Sequence, residues 1–186
     1  MTILRFTVPT IPVSQPRARA TAIGGHARVY EPATVKDSFG QRQPHPIATF
    51  KATVKQSAQA ILCDRPPFDG PVAVHLVFRV PRPPSMVWKR RPMPRAAHVN
   101  QKPGDIDNLA KAVLDALNGI TWEDDRAVWL ALIQKVVCAA DEGPCVEITI
   151  GFGIEEAMGV LSDLALALRK VLPVPQLLPF ENARAT

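Results

Sequence analysis

The sequence predicts an α/β protein of the α+β type, in which a small mixed or antiparallel sheet packs against two or three helices. Three observations predict this class. Apolar residues alternate along several stretches of strand length, they recur every three to four residues along others, and segments rich in Pro or Gly separate the two kinds. With 186 residues, of which 47% are hydrophobic, the chain can bury a core of its own.

Three stretches have the alternation of strands. Residues 2–8 are a half-buried strand that ends before Pro9. Residues 70–81 are the second, with five apolar side chains on one face and His75 and Arg79 on the other, and residues 127–138 are the third. The apolar positions of the first two strands are Leu4, Phe6, Val8, Val72, Val74, Leu76, Phe78 and Val80.

Three stretches have the spacing of helices. Residues 46–63 begin at Pro46, a residue favoured in a first turn, and residues 106–118 end at the stop signal Asn118–Gly119. Residues 154–172 are a third, apolar-rich helix. The apolar positions are Ile47, Phe50, Val54, Ala58 and Ile61 in the first helix and Ile106, Leu109 or Ala110, Val113 and Leu117 in the second.

The cysteines and the amino terminus bear on the compartment. Cys63, Cys138 and Cys145 are odd in number and lack Cys-x-x-Cys spacing, so neither a disulfide framework nor a zinc ribbon is indicated. The first residues have no signal-peptide pattern, and no run of about 18 apolar residues occurs. We therefore expect a cytoplasmic protein that has no membrane partner.

Charge is divided unevenly along the chain. Residues 1–102 hold 16 Lys and Arg against 4 Asp and Glu, a balance of +12, whereas residues 103–186 hold 6 against 13, a balance of −7. Such asymmetry indicates a surface that binds a polyanion, joined to a separate acidic site. The alternative is that both charged faces are merely solvated.

Two segments of the basic half could contact phosphates. The sequence of residues 13–31 predicts a loop or a short hairpin that turns at Gly24–Gly25. Residues 81–103 hold six prolines, which predict an exposed and partly extended loop. Trp88 stands before three cations, where it either stacks on bases or anchors the loop to the body. The candidate DNA-binding residues are Arg17, Arg19, Arg28, Lys89, Arg90, Arg91 and Arg95.

Six acidic residues surround the second predicted helix, in "KPGDIDNLAKAVLDALNGITWEDDR". Asp105 stands at the N-cap position, and Asp107, Lys111 and Asp115 follow at intervals of four on one stripe of the helix. This pattern alone is compatible with a helix cap and a solvated ladder of ion pairs.

A second cluster favours a chemical role. Glu123, Asp124 and Asp125 occur together in a tight turn, and they would approach Asp105 and Asp107 if the chain doubled back along the helix. Converging carboxylates repel one another unless a divalent cation lies between them, and oxygen ligands alone select Mg²⁺ or Mn²⁺. Lys111 would then place a positive charge beside a phosphate oxygen.

The segment "DIDNLAKAVLDALNG" followed by "WEDD" resembles the signature of the RusA-type Holliday-junction resolvases, which runs Asp-x-Asp-Asn-Leu-x-Lys, Asp-Ala-Leu and Asp-Asp. The first part of the chain is similar to phage-borne members of that family. The resemblance is specific over residues 105–128, looser over residues 1–104, and extends to about residue 152. We therefore expect a nuclease domain over residues 1–153 and a C-terminal helix and tail over residues 154–186.

The resemblance implies a homodimer that cuts branched DNA symmetrically in recombination and repair with Mg²⁺, for which Mn²⁺ could substitute. By position, Asp105, Asp107 and Asp125 match the metal-binding aspartates, Lys111 matches the essential lysine, and Asp124 is a further candidate ligand. Asn108 and Asp115 match positions that would support these residues.

Two departures and two alternatives remain. Gly104 precedes Asp105 where the family usually has Pro or a basic residue, and the loop over residues 81–103 is unusually long.

A non-catalytic protein of the same fold that binds DNA junctions is one alternative. The other alternative is an Asp-x-Asp nucleotide-sugar transferase, but this sequence has no recognisable nucleotide-binding half.

Overall fold

The fold is that of a computed structural model, which describes residues 3–24, 26–63, 65–86, 96–97, 104–139, 141–155, 158–159 and 162. The elements in chain order are β1 (Ile3–Val8), β2 (Arg19–Ile23), β3 (His26–Tyr30), β4 (Thr34–Lys36), β5 (Arg42–Pro44), α1 (Ile47–Leu62), β6 (Val72–Val80), β7 (Ala96–Ala97), α2 (Ile106–Leu117), β8 (Val128–Val137) and β9 (Cys145–Phe152). The three strands and two long helices predicted over residues 2–138 are confirmed.

The main sheet has five strands in the order β1-β9-β6-β8-β7. Strands β6 and β8 are parallel, and every other neighbouring pair is antiparallel, so the sheet is mixed, which is the first of the two predicted alternatives. Parallel neighbours need a crossover connection, and the segment between β6 and β8 carries α2 as that crossover. The crossover places α2 beside α1, and the α+β class is confirmed.

One face of the sheet and the two helices enclose the core. The predicted apolar stripe of β6 is buried throughout, and Phe6 and Val8 of β1 are buried with it. The helices contribute Phe50, Val54 and Ala58 from α1 and Leu109, Val113 and Leu117 from α2. Burial of these alternating and helical positions is the main stabilising contribution, at about 25 cal/mol per Å² of apolar surface.

Two hairpins stand outside this core. Strands β2 and β3 form the hairpin predicted near Gly24, and all five residues of β3 are exposed. Strands β4 and β5 form a second hairpin, which the sequence analysis missed. Its turn depends on Asp37, whose carboxylate accepts hydrogen bonds from the backbone N–H groups of Phe39 and Gln41 at 2.9 and 2.8 Å.

The turn explains both a perturbed carboxyl group and a glycine. Hydrogen bonds, chiefly from the Gln41 backbone N–H, lower the pKa of Asp37. Gly40 closes the turn at φ +78°, a conformation that L-residues rarely adopt. Asp at the first position and Gly at the fourth position of "DSFG" are the turn signal that could have revealed this hairpin.

Several predictions fall wholly or partly outside the described residues. In the segment 81–103, the structure describes a single 3₁₀ turn at Pro84–Met86 and the two-residue strand β7 at the sheet edge, and it describes helical backbone at 154–155, 158–159 and 162. The predicted domain boundary at residue 153 stays a prediction. Trp88, Lys89, Arg90, Arg91 and Arg95 lie outside the described residues.

Among the described helices, none is long and apolar enough to span a membrane.

His75 gives the fold a predicted pH dependence. Its side chain is half-buried on the sheet face opposite the predicted apolar stripe of β6, and its Nε2 atom has no hydrogen-bond partner among the described residues. Burial lowers the pKa of His75 below its ordinary value of 6.5. Below that value the unfolded chain therefore binds a proton that the folded chain does not yet bind.

The free energy of unfolding should fall as the pH drops below about 6.5, with a contribution from His75 of at most about 1.4 kcal/mol per pH unit. Urea unfolding of the wild type and of His75→Leu between pH 7.5 and 5 measures it. The slope should be smaller in His75→Leu and unchanged in His26→Ala, which removes an exposed histidine of β3. Equal slopes in all three proteins would contradict the assignment.

Candidate functional site

The start of α2 presents two carboxylates to solvent. Asp105 occupies the predicted N-cap position with extended backbone, yet its side chain makes no capping hydrogen bond. Its Oδ2 atom instead accepts a hydrogen bond from Arg17 Nη2 at 2.7 Å, and both side chains are at least half exposed. Asp107 follows in the first helical turn, where the helix dipole favours negative charge. Asp105 therefore occupies the N-cap position, but its carboxylate binds Arg17 instead of the helix backbone.

The chain before β2 is held against this end of α2. The backbone N–H of Gln15 donates to the carbonyl of Asn108 at 2.9 Å. Gly104 has φ +137°, and a Cβ atom there would collide with the side chain of Ser14. The glycine that departs from the family pattern therefore allows residues 14–17 to pass close to α2, which brings Arg17 to Asp105.

The predicted stripe of Asp107, Lys111 and Asp115 is divided between two environments. Asp107 and Lys111 are exposed, whereas Asp115 is half-buried and binds Lys51 Nζ of α1 at 2.8 Å. Within the described part of the chain, Lys111 has no ion-pair partner, so the solvated ladder is not formed. Asn108 Nδ2 lies 3.5 Å from Asp107 Oδ1, at the limit of a hydrogen bond. Asp115 therefore joins the two helices, while Lys111 keeps its charge available.

The second acidic cluster lies after α2. Trp122 is fully buried, and its backbone carbonyl accepts from Gly119 N–H at 2.9 Å, which holds it against the C-terminal end of the helix. Its indole Nε1 donates to Asp125 Oδ1 at 3.1 Å and so orients that carboxylate. Asp124 caps the 3₁₀ turn Asp125–Ala127 by accepting from Arg126 N–H at 3.0 Å.

The two clusters lie at opposite ends of α2. The helix has 12 residues, and at about 1.5 Å per residue it spans about 18 Å. It is β8 that returns to the start of α2, because Lys135 Nζ near the end of β8 donates to the carbonyl of Gly104 at 2.9 Å. Among the described residues, no group of three His, Cys, Asp or Glu side chains could hold a metal ion. The ligand roles of Asp105, Asp107, Asp124 and Asp125 stay predictions.

A basic cleft opens beside Asp105. It encloses about 860 Å³ between the two hairpins. Its lining includes Arg17 and Arg19, which the sequence analysis singled out, together with Lys36 and Arg42, which it missed. Arg28, the third predicted cation of this region, lies on β3 opposite Thr21 and does not line the cleft. Lys36 and Arg42 lie on the two sides of the Asp37 turn, so recognition of that turn in the sequence could have placed both residues on one hairpin.

Comparisons with known proteins give matches over most of the chain. A family model described as "Endodeoxyribonuclease RusA" matches residues 9–151. The uncharacterized protein YqaN of Bacillus subtilis (strain 168) is 29% identical over 153 residues, which cover 81% of this chain and 96% of that protein. The family match includes both hairpins, α2 and the turn that follows it, and it ends within β9.

The bond between Trp122 and Asp125 should contribute to stability. A hydrogen bond to a charged group contributes about 1.5 kcal/mol or more, so a double-mutant cycle of Trp122→Phe and Asp125→Ala should give a coupling energy near that value. Chemical unfolding of the four proteins measures it. The matched control pairs Trp122→Phe with Asp124→Ala, for which the coupling should be near zero. Equal coupling in both cycles would show that Asp125 has no special contact.

Proposed function

The chain belongs to the RusA endodeoxyribonuclease family, and we propose that it resolves four-way DNA junctions by paired, symmetric nicks that require Mg²⁺. Membership makes the chain an enzyme that hydrolyses phosphodiester bonds in DNA, within a family of Holliday-junction resolvases. The observation that carries the finer proposal is the pair of exposed carboxylates, Asp105 and Asp107, beside a basic cleft. Nothing favours the alternative of a non-catalytic junction-binding protein.

The donor set fits a hard divalent cation. RusA-type resolvases generally depend on a divalent metal. Asp105, Asp107 and Asp125 would hold it, with Asp124 as a further candidate, because carboxylate oxygens without His or Cys suit Mg²⁺ or Mn²⁺. The absence of a side-chain capping bond at Asp105 supports this assignment, since that carboxylate is not needed to start the helix. A bound ion would activate water and stabilise the charge that develops on the phosphate.

The chain's own side chains have separate tasks in this proposal. Lys111, exposed one turn beyond Asp107, would bind a phosphate oxygen of the strand to be cut. The buried indole of Trp122 would keep the Asp125 carboxylate in one orientation. Arg17 would neutralise Asp105 in the free protein and exchange that partner for DNA phosphate, because an exposed ion pair contributes only about 0–1 kcal/mol.

The separation of the two acidic clusters supports a homodimer whose sites are shared between protomers. A helix of about 18 Å lies between Asp105 and the turn that holds Asp125. A second copy related by two-fold symmetry would bring its Asp125 to Asp105 and Asp107 of the first, and would form two such sites. In the described residues, β8 pairs with β7 over only two positions, and Trp129 of β8 is 50% exposed. That edge offers a surface for a partner copy.

Replacement of Asp107 tests the nuclease assignment. Asp107→Asn should reduce cleavage of a synthetic four-way junction at least a hundredfold in Mg²⁺, because a metal ligand is lost, while binding in EDTA changes little. Gel analysis of end-labelled junctions and a mobility-shift assay measure the two quantities. Asp141→Asn, which alters an exposed carboxylate in the loop before β9, is the control. Normal cleavage by Asp107→Asn would remove the metal site from consideration.

Mixing two inactive variants tests whether the sites are shared. Heterodimers of Asp107→Asn and Asp125→Asn protomers should regain nicking of one strand, because one shared site then holds both changes and the other holds neither. If each site belonged to a single protomer, every site would carry one defect and no activity would return. Co-refolding or co-expression of differently tagged chains gives the heterodimer, and each variant alone is the control. A heterodimer that stays inactive would contradict the shared site.

A further inference from the structure

The described lining of the cleft between the two hairpins is cationic. Four cationic side chains line it, and no acidic side chain lies among its described lining residues. Within the described part of the chain, Arg19, Lys36 and Arg42 have no ion-pair partner, and Arg17 has the exposed Asp105 as its partner. Unpaired cations that line a concave surface attract a polyanion.

The same cleft contains an aromatic side chain. Tyr30 is the only tyrosine of the chain, lies at the end of β3 and is 48% exposed. The lining also includes His45, whose Nδ1 atom accepts from the backbone N–H of Ile47 at 3.2 Å and so ties this part of the cleft to the start of α1. The cleft thus combines cations with an accessible aromatic ring, and its His45 side is tied to α1.

We propose that this cleft binds a single strand of DNA, with Tyr30 stacked on an unpaired base and with Arg19, Lys36 and Arg42 on the flanking phosphates. Grooves that combine cations with aromatic rings bind single strands, because a ring stacks on any unstacked base. In a duplex the bases are stacked on one another and the ring would have no partner. The volume of about 860 Å³ lies within the range of pockets for small ligands, which suits nucleotides better than a duplex.

Arg17 connects the cleft to the candidate active site. It lines the cleft and also donates a hydrogen bond to Asp105 at 2.7 Å, so one side chain joins the cleft to a carboxylate of that site. The inference rests on the proposed function in one respect, namely that the strand belongs to the substrate. It then specifies that substrate as branched DNA with unpaired nucleotides next to the branch point.

Fluorescence anisotropy of the full-length protein with a labelled oligothymidylate of about 12 nucleotides tests the cleft in EDTA, where cleavage is absent. The single strand should bind more tightly than the same strand paired with its complement. Tyr30→Ala should weaken single-strand binding about tenfold without changing its salt dependence, and Tyr30→Phe should restore most of the affinity. Both variants alter an exposed side chain, and urea unfolding checks their stability.

Arg42→Ala and Arg65→Ala form a matched pair. Each removes one exposed arginine, but Arg65 lies after α1 and does not line the cleft. Arg42→Ala should reduce the slope of log affinity against log salt by about 0.7, the value for one phosphate contact on a single strand, and Arg65→Ala should not. Equal effects of the two changes would overturn the proposal, as would preferred binding of the duplex or unchanged binding by Tyr30→Ala.

The outcome is separable from that of the proposed function. If the protein binds oligothymidylate through Tyr30 but cuts no junction in Mg²⁺, the result supports the cleft proposal and contradicts the nuclease proposal. If it cuts junctions but Tyr30→Ala leaves single-strand binding unchanged, the result supports the nuclease proposal and contradicts the cleft proposal.

Discussion

The parallel pairing of β6 with β8 governs the arrangement of the acidic residues. Because parallel neighbours cannot be joined by a tight turn, the chain crosses the sheet through α2 and then returns along β8. The carbonyl of Gly104 meets Lys135 near the far end of β8, which fixes the start of α2 at that end of the strand. Asp105 and Asp107 therefore lie at one end of the helix, and the turn that carries Asp125 lies at the other.

The basic and acidic halves of the chain meet at an exposed contact. Arg17 belongs to the cationic segment before β2, and Asp105 opens the acidic segment around α2. Their pairing depends on Gly104, because any side chain at that position would collide with Ser14 and displace the segment that carries Arg17. An exposed ion pair of this kind is weak enough to be exchanged. A polyanion that approaches the cleft thus encounters a residue already connected to the candidate site.

The apolar pattern of the sequence was a sufficient guide to most of the fold, since burial of alternating or helical stripes dominates folding free energy. Val72, Leu76 and Phe78 are buried as predicted, and so are Phe50 and Val113. The hairpin of β4 and β5 was missed because all its strand residues are exposed and no apolar stripe marks it. Its formation depends on the turn at Asp37 and Gly40, a local signal of a different kind.

The sequence by itself determined the family signature, the positions of the two acidic clusters and the division of charge between the halves of the chain. Tertiary structure alone decided the partners of those acids: Arg17 for Asp105, Lys51 for Asp115 and Trp122 for Asp125. The spacing along α2 establishes which residues share a helix face, but not which neighbour that face meets. The Arg17 and Lys51 contacts each join residues more than 60 positions apart, so they depend on how the sheet and helices pack.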